Sequence, residues 1–259
     1  MIALIAFSKT MTGSWKGNSP LTTEPRWHGN AMRYARTAAG YSVRDFETLL
    51  GVNQNIAEVT LQRYLMMLHD EAEQLPAMAA YTGAVFRRID VASWTAEDWN
   101  FAQDHVRIMS AIYGMLRPLD RISAYRMEGK VYLGDHTEKG EKLDLFHAWR
   151  PLLTPVVIQE VLDKGGELVD LASGEMRLFF NWTEIERHLK IVKPDFYQYS
   201  GGKLKAVTMY AKMCRGEMLR YMVRNRLTDP EELKDFQWEG FRFNEEKSDP
   251  LHYIFVREQ

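Results

Sequence analysis

Two basic side chains lie near the start of a predicted helix, a position that a bound anion would make favourable. Lys212 and Arg215 fall in the first turn of a helix that we predict over residues 212–227. Cations there oppose the positive end of the helix macrodipole, so an anion held also by free backbone N–H groups would make the placement favourable. The alternative is two long side chains that extend into solvent from the edge of the core. The pattern favours an anion site, and Tyr210 is a candidate neighbour.

Arginines also follow the apolar segment 105–126, HVRIMSAIYGMLRPLDRISAYR. We predict one helix over residues 95–116, because the ring of Pro118 cannot follow a helical residue without steric clash. His105 falls in the apolar arc of this helix, which favours a structural role for its ring. The exit of the helix carries Arg117, Arg121 and Arg126. We expect the first and last of these to line one wall of the anion site.

Two predicted strands, at residues 2–6 and 168–172, end in polar residues. Lys9 follows the first strand, and Ser173 and Glu175 follow the second. Ligands of sheet proteins often bind beyond the carboxyl ends of strands. Neither exit is a P-loop or a nucleophile elbow, because the required glycines are missing. We expect these three candidate catalytic side chains to share one cleft with the two cations of the predicted helix.

A short stretch at residues 49–61, LLGVNQNIAEVTL, resembles the helix-hairpin-helix motif that grips DNA. The motif positions, which are leucine, glycine, aliphatic, glycine and alanine, are occupied by Leu49, Gly51, Val52, Asn53 and Ala57. Asn53 replaces the second glycine, and asparagine tolerates the left-handed conformation better than most residues. Backbone amides of such a hairpin bind phosphates without reading the base sequence. Arg63 lies nearby; a plain helical hairpin with Gly51 as its C-terminal cap is the alternative.

The composition is that of an ordinary soluble domain and gives no global sign of a partner. The 259 residues are 46% hydrophobic and 26% charged, with a net charge of −2. A site for DNA or another anion therefore depends on local clustering of charge. The single cysteine, Cys214, excludes an internal disulfide and suits the reducing cytoplasm. We expect no membrane segment, because no apolar run approaches the length of a membrane span.

Metal and cofactor binding are not predicted. The seven histidines show neither H-x-H nor i, i+4 spacing, and one cysteine cannot build a cysteine-based zinc site. Aspartate and glutamate clusters leave oxygen ligands for iron as an open alternative.

The order of helices and strands predicts one α+β domain over residues 1–259, in which helices surround a mixed sheet. Besides the elements above, we predict helices at 26–40, 43–70 and 151–164, and strands at 203–210, 240–244 and 252–256.

Long blocks of the chain resemble the YaaA family of peroxide-stress resistance proteins. The strongest are residues 105–126 and 210–227, the latter followed by Glu239-Gly240-Phe241. Residues 2–10 match the opening strand of the family and its P-A-K-T turn. Residues 170–177 match a block normally read N-L-A-S-x-E-Y-x-K, from which Asp170, Met176 and Arg177 depart. The resemblance covers essentially the whole chain.

The resemblance implies a cytoplasmic bacterial protein that limits damage during hydrogen peroxide stress, in a family understood to lower free intracellular iron. It also implies a single-domain fold with a helix-hairpin-helix and a positive cleft that binds duplex DNA.

Two functional hypotheses follow. In the first, the protein binds duplex DNA largely without sequence preference through the hairpin and the cleft. In the second, it is an enzyme acting on a small anionic substrate such as a nucleotide or nucleoside, with Glu175 as acid or base. The residues expected to bind DNA or another anion are Lys9, Gly51, Asn53, Arg63, Arg117, Arg126, Tyr210, Lys212 and Arg215.

Overall fold

The computed structural model describes residues 1–257, so the last two residues of the predicted domain lie outside the described part. Its strands are β1 (Ile2–Ile5), β2 (Gln74–Pro76), β3 (Val106–Ser110), β4 (Gly114–Leu116), β5 (Arg121–Ser123), β6 (Tyr132–His136), β7 (Lys142–Asp144), β8 (Glu167–Asp170), β9 (Lys190–Ser200), β10 (Lys203–Lys205), β11 (Phe241–Phe243) and β12 (His252–Arg257). Its α-helices are α1 (His28–Ala39), α2 (Val43–Leu50), α3 (Gln54–Leu68), α4 (Ala77–Ala80), α5 (Ala84–Ile89), α6 (Ala96–His105), α7 (Leu145–Leu162), α8 (Trp182–His188) and α9 (Thr208–Asn225).

One large sheet organises the domain, with strand order β11-β12-β9-β8-β1-β3-β4 and β10 paired to β9. Its five central strands, from β12 to β3, are parallel, whereas β4, β10 and β11 pair antiparallel. Two small sheets pair β2 with β5 and β6 with β7. The prediction of a single α+β domain with a mixed sheet and helices is confirmed.

The middle of the sheet is covered on both faces. All residues of β1 and β3 are buried, including those that point to opposite sides of the sheet. Parallel strands buried in this way are apolar along their whole length rather than alternating. The sequence IALI of β1 has this character, whereas β3 also buries Arg107, which pairs with Glu160, and Ser110.

The apolar segment after His105 forms a strand pair, so the helix predicted over residues 95–116 is wrong beyond its first half. α6 ends at His105, β3 and β4 follow, and Gly114 adopts a φ of +74° where the chain has turned back. A short apolar run fits a buried strand as well as a buried helix. The ring of His105 stacks on Phe101 at 4.3 Å between centroids, and its Nδ1 lies 2.8 Å from the carbonyl oxygen of Met1.

The helix that carries Lys212 and Arg215 starts earlier than predicted. The strand predicted over 203–210 stops at residue 205, and α9 begins at Thr208. The two cations therefore lie in the second turn, where they oppose the macrodipole less. The patterns also do not predict β9, because Pro194 argues against a central strand.

The remaining predicted elements form with shifted bounds. The helix predicted over 26–40 is α1, and that predicted over 151–164 is α7, which starts six residues earlier and contains Pro151 and Pro155. The two C-terminal strands form as β11 and β12. Within residues 1–257, no helix is long and apolar enough to cross a membrane.

The segment predicted as a hairpin forms α2 and α3, joined by a short turn. Gly51 ends α2 in the left-handed conformation, with φ of +59°, and its N–H and that of Val52 both donate to the Glu47 carbonyl. Asn53 has an extended backbone, with φ of −76°, and its side chain caps α3 by accepting from the Ile56 N–H. The expectation that Asn53 replaces a left-handed glycine is therefore wrong.

Close packing of α9 on α5 sets the position of the basic helix. At Gly216 of α9, a Cβ atom would lie 2.3 Å from the carbonyl oxygen of Val85 and 2.8 Å from Cβ of Arg88. Backbone atoms cannot yield as a flexible side chain does, so only glycine allows this approach. The contact fixes α9 beside α5, and with it the cations that α9 carries.

Replacing Gly216 by alanine should lower the free energy of unfolding by about 1–3 kcal/mol, because the added methyl group forces the two helices apart. Chemical denaturation monitored by circular dichroism measures the change. Gly29→Ala in α1 is the matched control: no atom lies within 4 Å of the added Cβ, so better helix propensity should leave stability unchanged or raise it by up to about 1 kcal/mol. Equal effects at the two glycines would contradict the packing argument.

Candidate functional site

The carboxyl ends of β1 and β8 lie side by side at the point where the chain connections diverge. The next parallel neighbour after β1 is β3 on one side, whereas β8 is followed by β9 on the other. The strand order therefore reverses between β1 and β8, and in open sheets such a point opens a crevice that binds ligands. A cavity of about 460 Å³ lies there.

Four segments form the wall of this switch-point cavity. Residues 6–10 follow β1, residues 171–176 follow β8, residues 83–87 open α5, and α9 contributes the remainder. The five side chains expected to share a cleft all line it: Lys9, Ser173, Glu175, Lys212 and Arg215. The lining is apolar at Phe7, Phe86, Leu171, Met176 and Met209. The cations Lys9, Lys212 and Arg215, here called the cationic rim, lie beside this apolar lining and suit a ligand that carries negative charge.

Lys9 is held at the cavity by an ion pair. Its Nζ lies 2.6 Å from Oε1 of Glu128, and Nζ of Lys130 lies 3.2 Å from the other carboxylate oxygen. Burial would raise the pKa of Glu128, but the hydrogen bonds from the two lysines outweigh it and hold the pKa below its usual value. Two cations share one carboxylate, so the cluster keeps a positive charge.

Lys212 and Arg215, the two α9 cations that line the cavity, have few counter-charges. Lys212 is exposed, and within residues 1–257 no carboxylate forms a salt bridge with it. Nη2 of Arg215 lies 4.0 Å from Oδ1 of Asp195, at the limit of an ion pair, and its buried Nε has no partner among the described residues. A half-buried guanidinium with donors to spare can accept an anionic ligand.

Arg87 is a cavity residue that the sequence patterns do not identify. It lies in α5, a short helix without a distinct periodic signal, and its Nη1 donates to the carbonyl oxygen of Thr82. Its side chain is exposed at the cavity and adds a third cation beside Lys212 and Arg215. Only the packing of α5 against α9 reveals this role.

Two further arginines join the loop that follows β1. Nη1 of Arg126 donates to the Lys9 carbonyl at 3.2 Å, and Nη2 of Arg63 donates to the Met11 carbonyl at 3.2 Å. Burial, and then the positive charge of Arg126, lower the pKa of Arg63 below its usual value. Arg63 extends from α3, so it links the hairpin to the cationic rim.

Arg117 lies elsewhere, contrary to the expectation that it lines the cleft. β4 runs antiparallel to β3, so the chain leaves β4 at the opposite end of the sheet. There Arg117 lines a separate cavity with Arg107, and its Nη2 lies 2.9 Å from Oδ1 of Asp120. The helix predicted over 95–116 would have placed this arginine differently.

Tyr210 and the hairpin turn also lie outside the cavity lining. The ring of Tyr210 packs 6.0 Å from that of Phe241 and lies under the guanidinium of Arg257 at 5.1 Å. Gly51 and Asn53 occupy the turn between α2 and α3. Arg63 is thus the cation of the hairpin that bonds to the loop after β1.

The polar groups of the cavity favour binding over nucleophilic attack. Ser173 precedes the 3₁₀-helix Gly174–Phe179, and Glu175 is exposed in its first turn. The hydroxyls of Ser8 and Thr10 lie 3.0 Å apart. Among the described residues that line the cavity there is no histidine to activate a serine. The arrangement offers cations and hydroxyls to an anion, with Glu175 as the candidate acid or base.

Just before the cavity residue Leu171, the buried Asp170 forms an ion pair with the half-buried Arg177. Nε and Nη2 of Arg177 donate to Oδ2 of Asp170 at 3.1 and 2.9 Å, and the guanidinium stacks on Trp182 at 4.4 Å. Burial raises the pKa of Asp170, although Arg177 opposes the rise. The charges of Asp170 and Arg177 thus offset each other.

A metal centre does not emerge from the part of the chain that the structure describes. Over residues 1–257 no three His, Cys, Asp or Glu side chains are grouped so that they could hold an ion.

Arg177→Leu should lower the free energy of unfolding by about 3 kcal/mol at neutral pH, because it leaves the buried Asp170 carboxylate unpaired. Without Arg177, the pKa of Asp170 in the folded protein rises further above its pKa in the unfolded chain. A carboxyl group whose pKa is higher in the folded than in the unfolded protein lowers stability as the pH rises through the unfolded pKa. The loss of stability in Arg177→Leu should therefore be smaller at lower pH. Urea denaturation at about pH 7 and about pH 5 measures it.

The double variant Asp170→Asn with Arg177→Leu is the control for this ion pair. It removes both charges and should recover part of the lost stability and lose the pH dependence. A deficit in Arg177→Leu that is equal at both pH values would mean that lost packing on Trp182, rather than the unpaired carboxylate, is responsible.

The chain matches known proteins over nearly its full length. The chain is 42% identical to a UPF0246 protein of Phocaeicola vulgatus over 255 residues, which cover 98% of both chains. It is 36% identical to one of Parabacteroides distasonis over all of both chains and 31% identical to one of Ruegeria pomeroyi over 98% of both. The profile of the family described as Peroxide stress protein YaaA matches residues 1–247. The chain therefore belongs to the peroxide stress protein YaaA family.

Proposed function

We propose that this protein binds duplex DNA with little sequence preference in the bacterial cytoplasm and thereby helps to limit iron-driven damage during peroxide stress. The observation that carries the proposal is the gathering of cations from separate elements at one end of the sheet. They are Lys9, Arg63, Arg87, Arg126, Lys130, Lys212 and Arg215.

These seven cations form a basic surface whose charges suit the phosphates of DNA rather than its bases. The net charge of the whole chain is −2, so attraction to DNA depends on the local field at the surface. Lysine and arginine contacts to the backbone position a protein on DNA without specifying sequence. Flexible, exposed cations such as Lys212 meet phosphates at varied positions along a duplex. Binding of this kind is sequence-independent and weakens with salt.

The hairpin extends the basic surface through Arg63 rather than through its turn amides. The N–H groups of Gly51 and Val52 already bond to Glu47, which leaves them unavailable to a phosphate. α3 is a 15-residue helix, and its N-terminal N–H groups favour a nearby anion. In this proposal the hairpin acts as a helix-hairpin-helix in which α3 approaches the DNA backbone.

Bound protein also accounts for protection against iron. A protein that neutralises phosphates releases the cations condensed around DNA. Ferrous iron held at phosphates is among the cations displaced, so hydroxyl radicals form farther from the bases and sugars. Protection of this type needs no iron site in the protein itself.

Lys212→Gln should weaken the affinity for a labelled duplex several-fold and reduce the slope of log affinity against log salt by about one, as for a lost phosphate contact. Fluorescence anisotropy at two salt concentrations and with two unrelated sequences measures both quantities. Lys190→Gln is the matched control, because Lys190 pairs with Glu167 at the amino ends of β8 and β9, away from the cavity. Affinity that does not depend on salt would sink the proposal.

A second candidate function is conversion of a small anionic substrate such as a nucleotide or nucleoside. The cavity at the switch point favours it, since its volume of about 460 Å³ is that of small-molecule sites. Cations would hold the phosphate, and the apolar lining at Phe7, Phe86 and Leu171 would take the base. Glu175, which lines the cavity, would be the acid or base.

Nucleotides should raise the melting temperature of the protein if they bind this cavity, because a ligand of the native state stabilises it. A thermal-shift series with mononucleotides, nucleosides and inorganic phosphate separates the contributions of base and phosphate. Arg215→Gln should abolish the shift, whereas Arg117→Gln, at the other end of the sheet, should preserve it. The absence of any shift would exclude this second function.

A further inference from the structure

Met209 exposes its side chain to solvent more than any other methionine of the chain. It is 55% exposed, whereas the remaining methionines, all within the described residues, are buried or half-buried. Oxidation of methionine to its sulfoxide follows the access of oxidant to the sulfur. A peroxide that reaches this protein therefore meets the thioether of Met209 first.

The position of Met209 connects it to the cations of the cavity. It lies in the first turn of α9 and lines both the switch-point cavity and a neighbouring cavity of about 330 Å³. Arg87 lines the same two cavities. Lys212 follows three residues later, on the same face of the helix. The thioether is thus an apolar group beside cations of the cavity wall.

We propose that Met209 is an oxidation site for hydrogen peroxide and that its sulfoxide weakens anion binding at the cavity. The sulfur lone pair attacks one peroxide oxygen, the O–O bond breaks, an S–O bond forms, and the second oxygen leaves as water after proton transfer. The sulfur loses two electrons and the peroxide gains them. The product replaces an apolar atom by a strong hydrogen-bond acceptor.

The new acceptor lies within the reach of cations that an anion needs. A sulfoxide oxygen at Met209 accepts hydrogen bonds from Lys212 or Arg87 and so occupies donors that otherwise face the ligand. The weakening of binding rests on the proposed function, whereas the identity of the oxidised residue does not. The two parts are therefore tested separately.

Peptide mapping by mass spectrometry after timed exposure of the folded protein to hydrogen peroxide tests the site. Met209 should gain one oxygen first, the half-buried Met32, Met66 and Met213 later, and the buried Met218 last. Oxidation of Met66 or Met213 before Met209 would overturn the assignment.

DNA affinity before and after peroxide tests the consequence. Oxidised wild-type protein and Met209→Gln, which carries a polar acceptor, should bind roughly fivefold more weakly, close to the loss of one phosphate contact. Met209→Leu cannot be oxidised at residue 209, so its affinity for DNA should be the same before and after peroxide treatment. Unchanged affinity of the oxidised wild type would overturn the weakening. If untreated protein binds no DNA, the proposed function fails and the weakening with it, while the peptide map still decides the oxidation site.

Discussion

Strand β1 is the constraint on which the rest of the architecture depends. Its four residues are buried on both faces, and it is hydrogen-bonded to β3 on one edge and β8 on the other. Because connections leave these strands in opposite directions, loops cannot close over the carboxyl end of β1, and a cavity opens there. Gly83 allows the loop after β1 to approach α5, since a Cβ would lie 2.3 Å from Oγ of Ser8.

The electrostatics of that end of the sheet follow from its packing. Most of the nearby carboxylates are withdrawn from solvent: Glu128 and Asp170 are buried, and Asp195 is largely buried 4.0 Å from Arg215, whereas Glu175 is exposed in the cavity lining. Buried carboxylates hold lysines and arginines in position at the cost of desolvation, which the ion pairs offset. An almost neutral chain thereby presents a positive surface, which a net charge of −2 conceals.

The size of the cavity separates the two proposed kinds of ligand. A duplex is far wider than a cavity of about 460 Å³, so DNA would rest on the cationic rim and Arg126, whereas a small anion would enter. Both ligands would use the same cations and therefore compete. Met209 lies at this rim, where an oxidant from solvent and a ligand of the cavity would both contact its side chain.

The sequence by itself determined the family, the α+β class and the set Lys9, Ser173, Glu175, Lys212 and Arg215, because apolar strands, their polar exits and basic helix positions are local patterns. It misassigned the segment after His105, since a buried strand and a buried helix share one apolar composition. Only tertiary structure decided that β4 turns Arg117 away and that packing at Gly216 brings Arg87 to the cavity. Which distant residues meet depends on strand order and helix packing, and these arise from contacts between segments far apart in the chain.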